Sequence, residues 1–329
     1  MDNEARRARR EHERRRTVRR RRQAVALIAV VAALVAAIVA LAGGSKGGSH
    51  GPAPSARGKS HPAHTATQTG GQSTTSTASI STSGVANARP GTEPVPILMY
   101  HVIAAPPSGA PFPGLYVPPG EFAAQMRALK TAGWHAVTLD QVQANWRSGA
   151  PLGPGKPIVL TFDNGYQSQY TQALPVLQRL GWVADENMQL RGLPPSQGGL
   201  GRAQIRGLIA AGWELDTQGF SHADLITLDA EQLHYEVAVA RSVIQQRYHV
   251  PVNWFCYPSG HYDPTVVAAV RAAGYKGSTT VMPGWAHPSE DPYRLHRLRV
   301  LGGTSPSALL AQLSGSRDAG PAPVSYGGA

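Results

Sequence analysis

The stretch Pro157-Ile-Val-Leu-Thr-Phe-Asp-Asn-Gly-Tyr166 decides the fold of this chain. Its apolar run, residues 158–162, predicts a buried strand that ends abruptly in Asp163 and Asn164, and a helical pattern follows it. In α/β folds, polar residues in this position carry catalytic and binding groups. Asp163 is therefore a candidate functional carboxylate. The alternative is a helix N-cap, which Asp and Asn both favour.

The remaining globular sequence repeats one kind of helix-to-strand joint. Each joint is a glycine followed by an aromatic residue, at Gly133-Trp134, Gly181-Trp182, Gly212-Trp213 and Gly274-Tyr275. Glycine commonly ends a helix because it adopts the left-handed conformation freely. Repetition of this joint predicts alternating strands and helices around a parallel sheet.

Polar residues gather where the predicted strands end. If the strands are parallel, their carboxyl ends form one face, and an active-site rim is expected there. The residues predicted to share this face are His101, Asp163, Asn164, Gln218 and His222.

The N-terminal segment predicts a membrane anchor. Residues 1–23 form an Arg-rich tail, predicted to be cytoplasmic, and eleven arginines against four acids give it a charge of about +7. Residues 24–42 are nineteen consecutive apolar residues, enough for a helix of about 28 Å. Cleavage as a signal peptide is the alternative. In both cases the rest of the chain is exported, and the adjacent span argues against nucleic-acid binding.

Beyond the span, residues 43–94 are a low-complexity linker of small and polar residues, predicted to be disordered. Residues 95–315 are predicted to form the globular domain, and residues 316–329 a flexible C-terminal tail. Cys256 is the single cysteine, so the domain has no intrachain disulfide and must depend on its core.

Several motifs occur together in the order that one family shows. They are Leu98-Met-Tyr-His101, Thr161-Phe-Asp-Asn-Gly165, Ser221-His-Ala-Asp-Leu225 and Tyr257-Pro-Ser-Gly260. From about Val95 to Thr304, the chain resembles the polysaccharide deacetylases of the NodB homology group, carbohydrate esterase family 4. The resemblance implies an α/β fold, a distorted (β/α) barrel of about seven strands. It also implies metal-dependent removal of acetyl groups from amino sugars.

The resemblance places Asp163 as the general base and Asn164, Gln218 and His222 at the metal-ligand positions. Two of these depart from the family pattern, since Asn164 replaces an aspartate and Gln218 a histidine. Amide oxygens are poor Zn²⁺ ligands, so the Zn²⁺ that the family implies is expected to bind weakly or not at all.

Other family positions also differ or lack a secure match. An expected arginine falls on Cys256, and His296 is a candidate catalytic acid with a surface histidine as the alternative. The strand after Gly181 carries Asp185 and Glu186. Either could point into the barrel and supply the missing charge, or the strand starts later and both are exposed.

The remaining candidates concern substrate contact and nucleophilic chemistry. Cys256 is either a nucleophile or, as a residue of a buried strand, a packing residue. The positions expected to bind substrate are His101, Tyr257, Pro258, Tyr262 and Trp285.

Two functions remain open on the sequence. One is a membrane-anchored, extracytoplasmic polysaccharide deacetylase acting on an amino-sugar glycan. The other is a metal-poor, inactive relative that binds cell-wall glycan. In both, the expected partner is a cell-surface glycan, the N-terminal helix contacts the membrane, and the chain is a monomer.

Overall fold

The computed structural model describes residues 89–191, 193 and 198–328. The predicted N-terminal tail, the membrane span and most of the linker lie outside these residues. Within the described part of the chain, no helix is both long and apolar enough to cross a bilayer.

The described chain alternates strands with helices around one sheet. The strands are β1 (Ile97–Tyr100), β2 (Trp134–Val137), β3 (Lys156–Asn164), β4 (Asp185–Met188), β5 (Glu214–Thr217), β6 (Trp254–Cys256), β7 (Gly277–Thr279) and β8 (Leu298–Arg299). The helices are α1 (Pro119–Thr131), α2 (Leu139–Ser148), α3 (Leu174–Leu180), α4 (Arg202–Ala210), α5 (Ala230–His234), α6 (Ala240–Tyr248), α7 (Pro264–Ala272) and α8 (Pro306–Gly315).

All strand pairs in the sheet are parallel, and their order is β7-β6-β5-β4-β3-β1-β8, with β2 beside β3. The segment before β8 also approaches β7, since the Thr280 N–H donates to the Leu295 carbonyl at 2.9 Å. The sheet is therefore a curled half-barrel. It has eight strands, close to the seven that the resemblance implied.

The strand β3 is the central element and extends beyond the predicted apolar run. It pairs with β2 through its first half, with β4 through its end, and with β1 on residues 159–162. Asp163 and Asn164 are thus the last residues of the strand itself.

The helix ends predicted at the four glycine joints are confirmed. The glycines of the four joints all have positive φ, between 68° and 84°. Asp263 caps α7 through the Val266 N–H, and Asp229 forms a capping box with Gln232 at the start of α5. Burial of aromatic and aliphatic side chains between the sheet and these helices forms the core, for example Phe162 stacked on Trp213 at 5.0 Å.

The end of the domain differs from the flexible tail that was predicted. The predicted boundary at residue 315 is the end of α8, but the chain beyond it packs against the domain. Tyr326 exchanges two backbone hydrogen bonds of 2.8 Å with Tyr262, whose hydroxyl also donates to the Pro323 carbonyl at 2.8 Å.

Candidate active site

A cavity of about 490 Å³ opens at the carboxyl ends of the strands. The curled parallel sheet brings together residues that lie far apart in the sequence. The cavity lining includes six predicted site residues, His101, Asp163, Asn164, Gln218, His222 and Tyr257.

Asp163 is buried and forms a two-pronged ion pair with Arg297. The Arg297 Nη1 donates to Asp163 Oδ1 at 2.7 Å, and Nη2 donates to Oδ2 at 2.9 Å. The Asn187 Nδ2 also donates to Asp163 Oδ1, at 2.9 Å. These side chains, rather than the backbone of a following helix, hold the carboxylate, so the helix-cap interpretation of Asp163 is wrong.

The charge environment keeps Asp163 ionised. Burial alone would raise its pKa, but the Arg297 charge, the nearby His101 and the hydrogen bonds from Arg297 and Asn187 together outweigh burial, and the pKa of Asp163 is lowered to about 2. Arg297 is fixed as well, since its Nε donates to the Thr280 carbonyl at 2.8 Å and its Nη1 to Thr161 Oγ1 at 3.0 Å.

Arg297 lies against the position where the resemblance expects an arginine. Its Nη2 is 3.2 Å from Cys256 Sγ, so the residue before β8 places a guanidinium beside the cysteine at the end of β6. Cys256 is fully buried, and burial raises the pKa of its thiol to about 12. A thiol that stays protonated and inaccessible is a packing residue and not a nucleophile.

Two histidines line the cavity in neutral form. His101 Nε2 lies 3.9 Å from Asp163 Oδ2, and burial lowers the pKa of His101 to about 4. Burial likewise lowers the pKa of His222. A neutral imidazole has one nitrogen free to accept a proton or to bind a metal.

The backbone is unusual around this cavity. Positive φ is uncommon outside glycine, and the described residues contain four such positions, Asn164, His222, His249 and Ser259. Asn164, His222 and Ser259 line the cavity. Such conformations cluster at functional sites because the surrounding structure must hold them.

Asn164, one of the residues at the family's metal-ligand positions, belongs to an amide network. Asn164 Nδ2 donates to Gln189 Oε1 at 2.8 Å, and Gln189 Nε2 donates to the Arg191 carbonyl at 2.7 Å. Gln218 Oε1 is buried and has no hydrogen-bond partner among the described residues.

This donor set fits Zn²⁺ poorly. Asn164 and Gln218 offer neutral amide oxygens, His222 offers one imidazole, and the charge of nearby Asp163 is neutralised by Arg297. Zn²⁺ prefers thiolate, imidazole and carboxylate ligands, and a site without net negative charge binds a dication weakly.

The carboxylates of β4 do not supply the missing charge. Both are fully buried, so the alternative in which the strand starts later and exposes them is wrong. Asp185 shares the face of Asn187, and Glu186 lies on the opposite face of the strand. Neither lines the cavity. Burial raises the pKa of Glu186 well above its usual range.

Several predicted contacts lie away from the cavity. Tyr262 is fully buried and stacks on Tyr257 at 4.9 Å. Trp285 packs against Trp134 and donates from Nε1 to the Leu313 carbonyl at 3.0 Å. Pro258 is buried in the turn after β6, beside the lining residues Tyr257 and Ser259. The prediction of sugar contact by Tyr262 and Trp285 is therefore wrong, because both rings are used in packing.

His296 is also placed differently from a catalytic acid. It is buried, its Nδ1 lies 2.9 Å from Glu290 Oε1, and it is not part of the cavity lining. The surface alternative is wrong as well, since the imidazole is inside the fold.

Sequence reasoning missed Arg297, Asn187 and Gln189. Arg297 lies between Leu295 and Leu298, both buried, and an arginine in such an apolar setting is a signal that it has a buried acidic partner. Asn187 gave a weaker signal, because a polar residue in a short strand is also typical of an exposed edge.

Comparison with known proteins shows that the chain is similar to polysaccharide deacetylases. Residues 152–278 match the family model described as polysaccharide deacetylase. A Bacillus subtilis (strain 168) protein, YxkH, whose name places it among polysaccharide deacetylases, is 30% identical over 220 residues, covering 67% of this chain and 76% of YxkH.

A shorter match is to the poly-beta-1,6-N-acetyl-D-glucosamine N-deacetylase of Escherichia coli (strain K12). It is 45% identical over 60 residues, which is 18% of this chain and 9% of the enzyme. Among solved structures, the Streptococcus pyogenes deacetylase PplD in complex with acetate has a TM-score of 0.62 and 26% identity, over 68% of this chain and 99% of PplD.

The ordered motifs, the curled parallel sheet and the cavity around Asp163 agree with the similarity to YxkH over most of its length. The chain belongs to the polysaccharide deacetylase family.

Proposed function

We propose that this protein is an extracytoplasmic deacetylase, anchored by residues 24–42, that removes acetyl groups from an amino-sugar glycan. The observation that carries the proposal is the ionised carboxylate of Asp163 in the wall of a cavity that also presents His101 and His222. The name of the Escherichia coli relative supplies the substrate class, a polymer of N-acetylglucosamine.

Hydrolysis of an acetamide requires a group that takes a proton from the attacking water and a group that protonates the departing amine. Asp163 is the proposed base, and the neutral imidazoles of His101 and His222 are positioned to hold or transfer a proton at the cavity surface. Because a carboxylate with a pKa of about 2 is a weak base, turnover should be slow.

A second function is favoured by the amide network. Asn164, Gln189 and Gln218 are suited to hydrogen bonding with the acetamido and hydroxyl groups of a sugar rather than to activating water. On this alternative the protein binds the glycan in the same cavity and does not hydrolyse it.

One experiment separates the two functions. The full-length protein is given oligomers of N-acetylglucosamine, and acetate release and calorimetric binding are measured on the same preparation. His222→Asn is the test variant and His249→Asn the matched control, because both histidines have a φ of 57° and asparagine tolerates that conformation.

For a deacetylase, we expect acetate release that falls by about 10²-fold or more in His222→Asn and is unchanged in His249→Asn. Binding without acetate release, weakened only by His222→Asn, would establish the second function. Absence of both binding and acetate release would reject the two together.

A further inference from the structure

A second group of carboxylates lies at the beginning of the strands, away from the cavity. Asp185 and Glu214 are the first residues of β4 and β5 and are paired in the sheet, and Asp216 lies two positions further along β5. One oxygen of each lies within 4.8 Å of the others. We call these three residues the strand-start cluster.

The strand-start cluster is buried without a compensating cation. Asp185 and Asp216 are 0% and 1% exposed, and Glu214 is partly buried. Over residues 89–191, 193 and 198–328, no lysine, arginine or histidine forms an ion pair with any of the three. Carboxylates this close, removed from water, repel one another unless protons or a metal ion lie between them.

The main chain anchors each carboxylate from outside. The Leu139 N–H donates to Asp185 Oδ1 at 2.9 Å, and the Asp140 N–H lies 3.2 Å from both oxygens of Glu214. The Trp254 N–H donates to Asp216 Oδ1 at 2.8 Å. These bonds orient the acids as outer hydrogen bonds orient metal ligands.

The anchoring leaves two oxygens without a partner. Asp185 Oδ2 and Asp216 Oδ2 are buried and accept no hydrogen bond from an N–H or hydroxyl group of the described residues, and a bond between the Asp185 and Glu214 carboxyls requires a proton shared by two acids. Both belong to side chains whose other oxygen is fixed by the main chain, so neither can turn outward without breaking its anchor. An unpartnered buried oxygen beside two other carboxylates indicates a missing positive ligand.

The neighbouring acid Asp140, in contrast, has hydrogen-bond donors for both of its carboxylate oxygens. Its carboxylate accepts from Asn253 Nδ2 at 2.6 Å, from Trp254 Nε1 at 3.1 Å and from Lys276 Nζ at 2.9 Å. Lys276 is thus used by Asp140 and leaves the strand-start cluster uncompensated.

We propose that the strand-start cluster binds one hard divalent cation of the Ca²⁺ or Mg²⁺ type. Oxygens bound to Ca²⁺ at about 2.3–2.6 Å lie up to about 5 Å apart, and the three oxygens of the strand-start cluster, all within 4.8 Å of one another, fit that spacing. Carboxylate-only ligands suit hard cations rather than Zn²⁺ or Cu²⁺. The partly exposed Glu214 provides a route of entry from solvent.

This cation site is separate from the family's metal-ligand positions. Its three acids are absent from the cavity lining, whereas Asn164, Gln218 and His222 belong to it. Asp185 precedes Asn187 by two positions, about 7 Å along β4, and Asn187 donates to Asp163. A bound cation would fasten the starts of β4 and β5 to α2 and β6, below the layer that holds Asp163.

The test measures the melting temperature of the full-length protein, first freed of metal with EDTA and then given CaCl₂ or MgCl₂. Bound metal is counted by elemental analysis after dialysis. Test variants are Asp185→Asn and Glu214→Gln, and the control is Glu231→Gln, an exposed acid outside the strand-start cluster.

We expect at least one of the two cations to raise the melting temperature of the wild type and of Glu231→Gln by about 5 °C or more at roughly 100 times its Kd. One ion per chain should remain bound, and both effects should be lost in the two test variants. If one test variant does not fold, the other suffices, since each removes one ligand.

Two results would overturn the proposal. One is a wild-type protein that neither retains Ca²⁺ or Mg²⁺ nor melts later in their presence, in which case the acids hold protons instead. The other is an equal rise in the test variants, which would place the cation elsewhere.

Discussion

Arg297 donates hydrogen bonds to both carboxylate oxygens of Asp163, at 2.7 and 2.9 Å, although it lies 134 residues further along the chain. The pair is buried, so removal of either residue would leave the charge of the other buried without compensation. Substitution of Asp163, the candidate base, is therefore expected to reduce the stability of the protein as well as its activity.

Asp163→Asn should destabilise the protein by about 3–5 kcal/mol, because it leaves the Arg297 guanidinium buried without its counter-charge. Urea unfolding measures the loss. Asp163→Asn combined with Arg297→Met should recover most of it, and Glu93→Gln, on the exposed ion pair with Arg317, should cost less than about 1 kcal/mol. A mild single variant would show that the pair contributes little.

Relocating the guanidinium gives a second prediction. Cys256→Arg should lower stability, since two arginines would then compete for Asp163 in a buried space. Adding Arg297→Ala should restore part of that stability, with a favourable coupling of at least about 1 kcal/mol in a double-mutant cycle. Cys256→Ser is the control for loss of the cysteine. Purely additive effects would mean that Arg297 does not occupy the space that an arginine at 256 would use.

The metal-ligand positions can be restored. Asn164→Asp with Gln218→His adds one negative charge and one imidazole, so Zn²⁺ should bind the double variant at least about tenfold more tightly than the wild type. Asn164→Asp alone should gain less, because its carboxylate would face the Gln189 oxygen that now accepts from Asn164. Calorimetric titration measures both. Tight Zn²⁺ binding by the wild type that persists in His222→Asn would show that the ligands lie elsewhere.

The strand-start cluster predicts a pH dependence. Burial, followed by the charge of Glu214, raises the pKa of Asp185 and of Asp216 well above the usual range. A carboxyl whose folded pKa is raised stabilises the fold at pH values below its unfolded pKa, near 4, and that stability is lost as pH rises toward the folded value.

In metal-free protein, the free energy of unfolding should therefore fall between about pH 4 and neutrality, less so in Asp185→Asn with Asp216→Asn. Urea unfolding at several pH values, with Glu231→Gln as control, measures the difference. Identical pH curves for the double variant and the control would contradict the raised pKa values.

The proposed anchor gives a prediction about topology. With the Arg-rich residues 1–23 inside and residues 95–315 outside, protease added to intact protoplasts should remove the domain and leave the N-terminal stub. Antibodies to each end distinguish the fragments. Protection of the whole chain in intact protoplasts, with digestion after lysis, would place the domain in the cytoplasm.

Local patterns predicted much of the fold and half of the site. The glycine joints and the run ending at Asp163 were sufficient for a parallel α/β sheet, because helix ends and buried strands have short-range signals. The motif residues then placed His101, Asn164, Gln218 and His222 at one cavity. Arg297 could not be found this way, since its partner is set by closure of the sheet rather than by neighbours in the sequence.

The misplaced aromatic residues have a similar explanation. Tyr262 and Trp285 follow strand ends, where sugar-binding rings are common, but the sequence does not show the segments that cover them. Residues 316–328 lie over Tyr262, and α8 accepts the Trp285 N–H. The same uncertainty made Asp185 and Glu186 look exposed, since their burial depends on helices and loops that pack from elsewhere.

Because Arg297 lies immediately before the last strand, the candidate base receives its counter-charge only when the C-terminal part of the chain has folded. A polypeptide that ends before Arg297 contains β1 to β7 and Asp163 but lacks the guanidinium that holds its carboxylate. The ion pair then forms only on completion of the chain, and a truncated product would carry the motif without the partner of its carboxylate. The part of the chain that folds last therefore supplies the ion-pair partner of the candidate base.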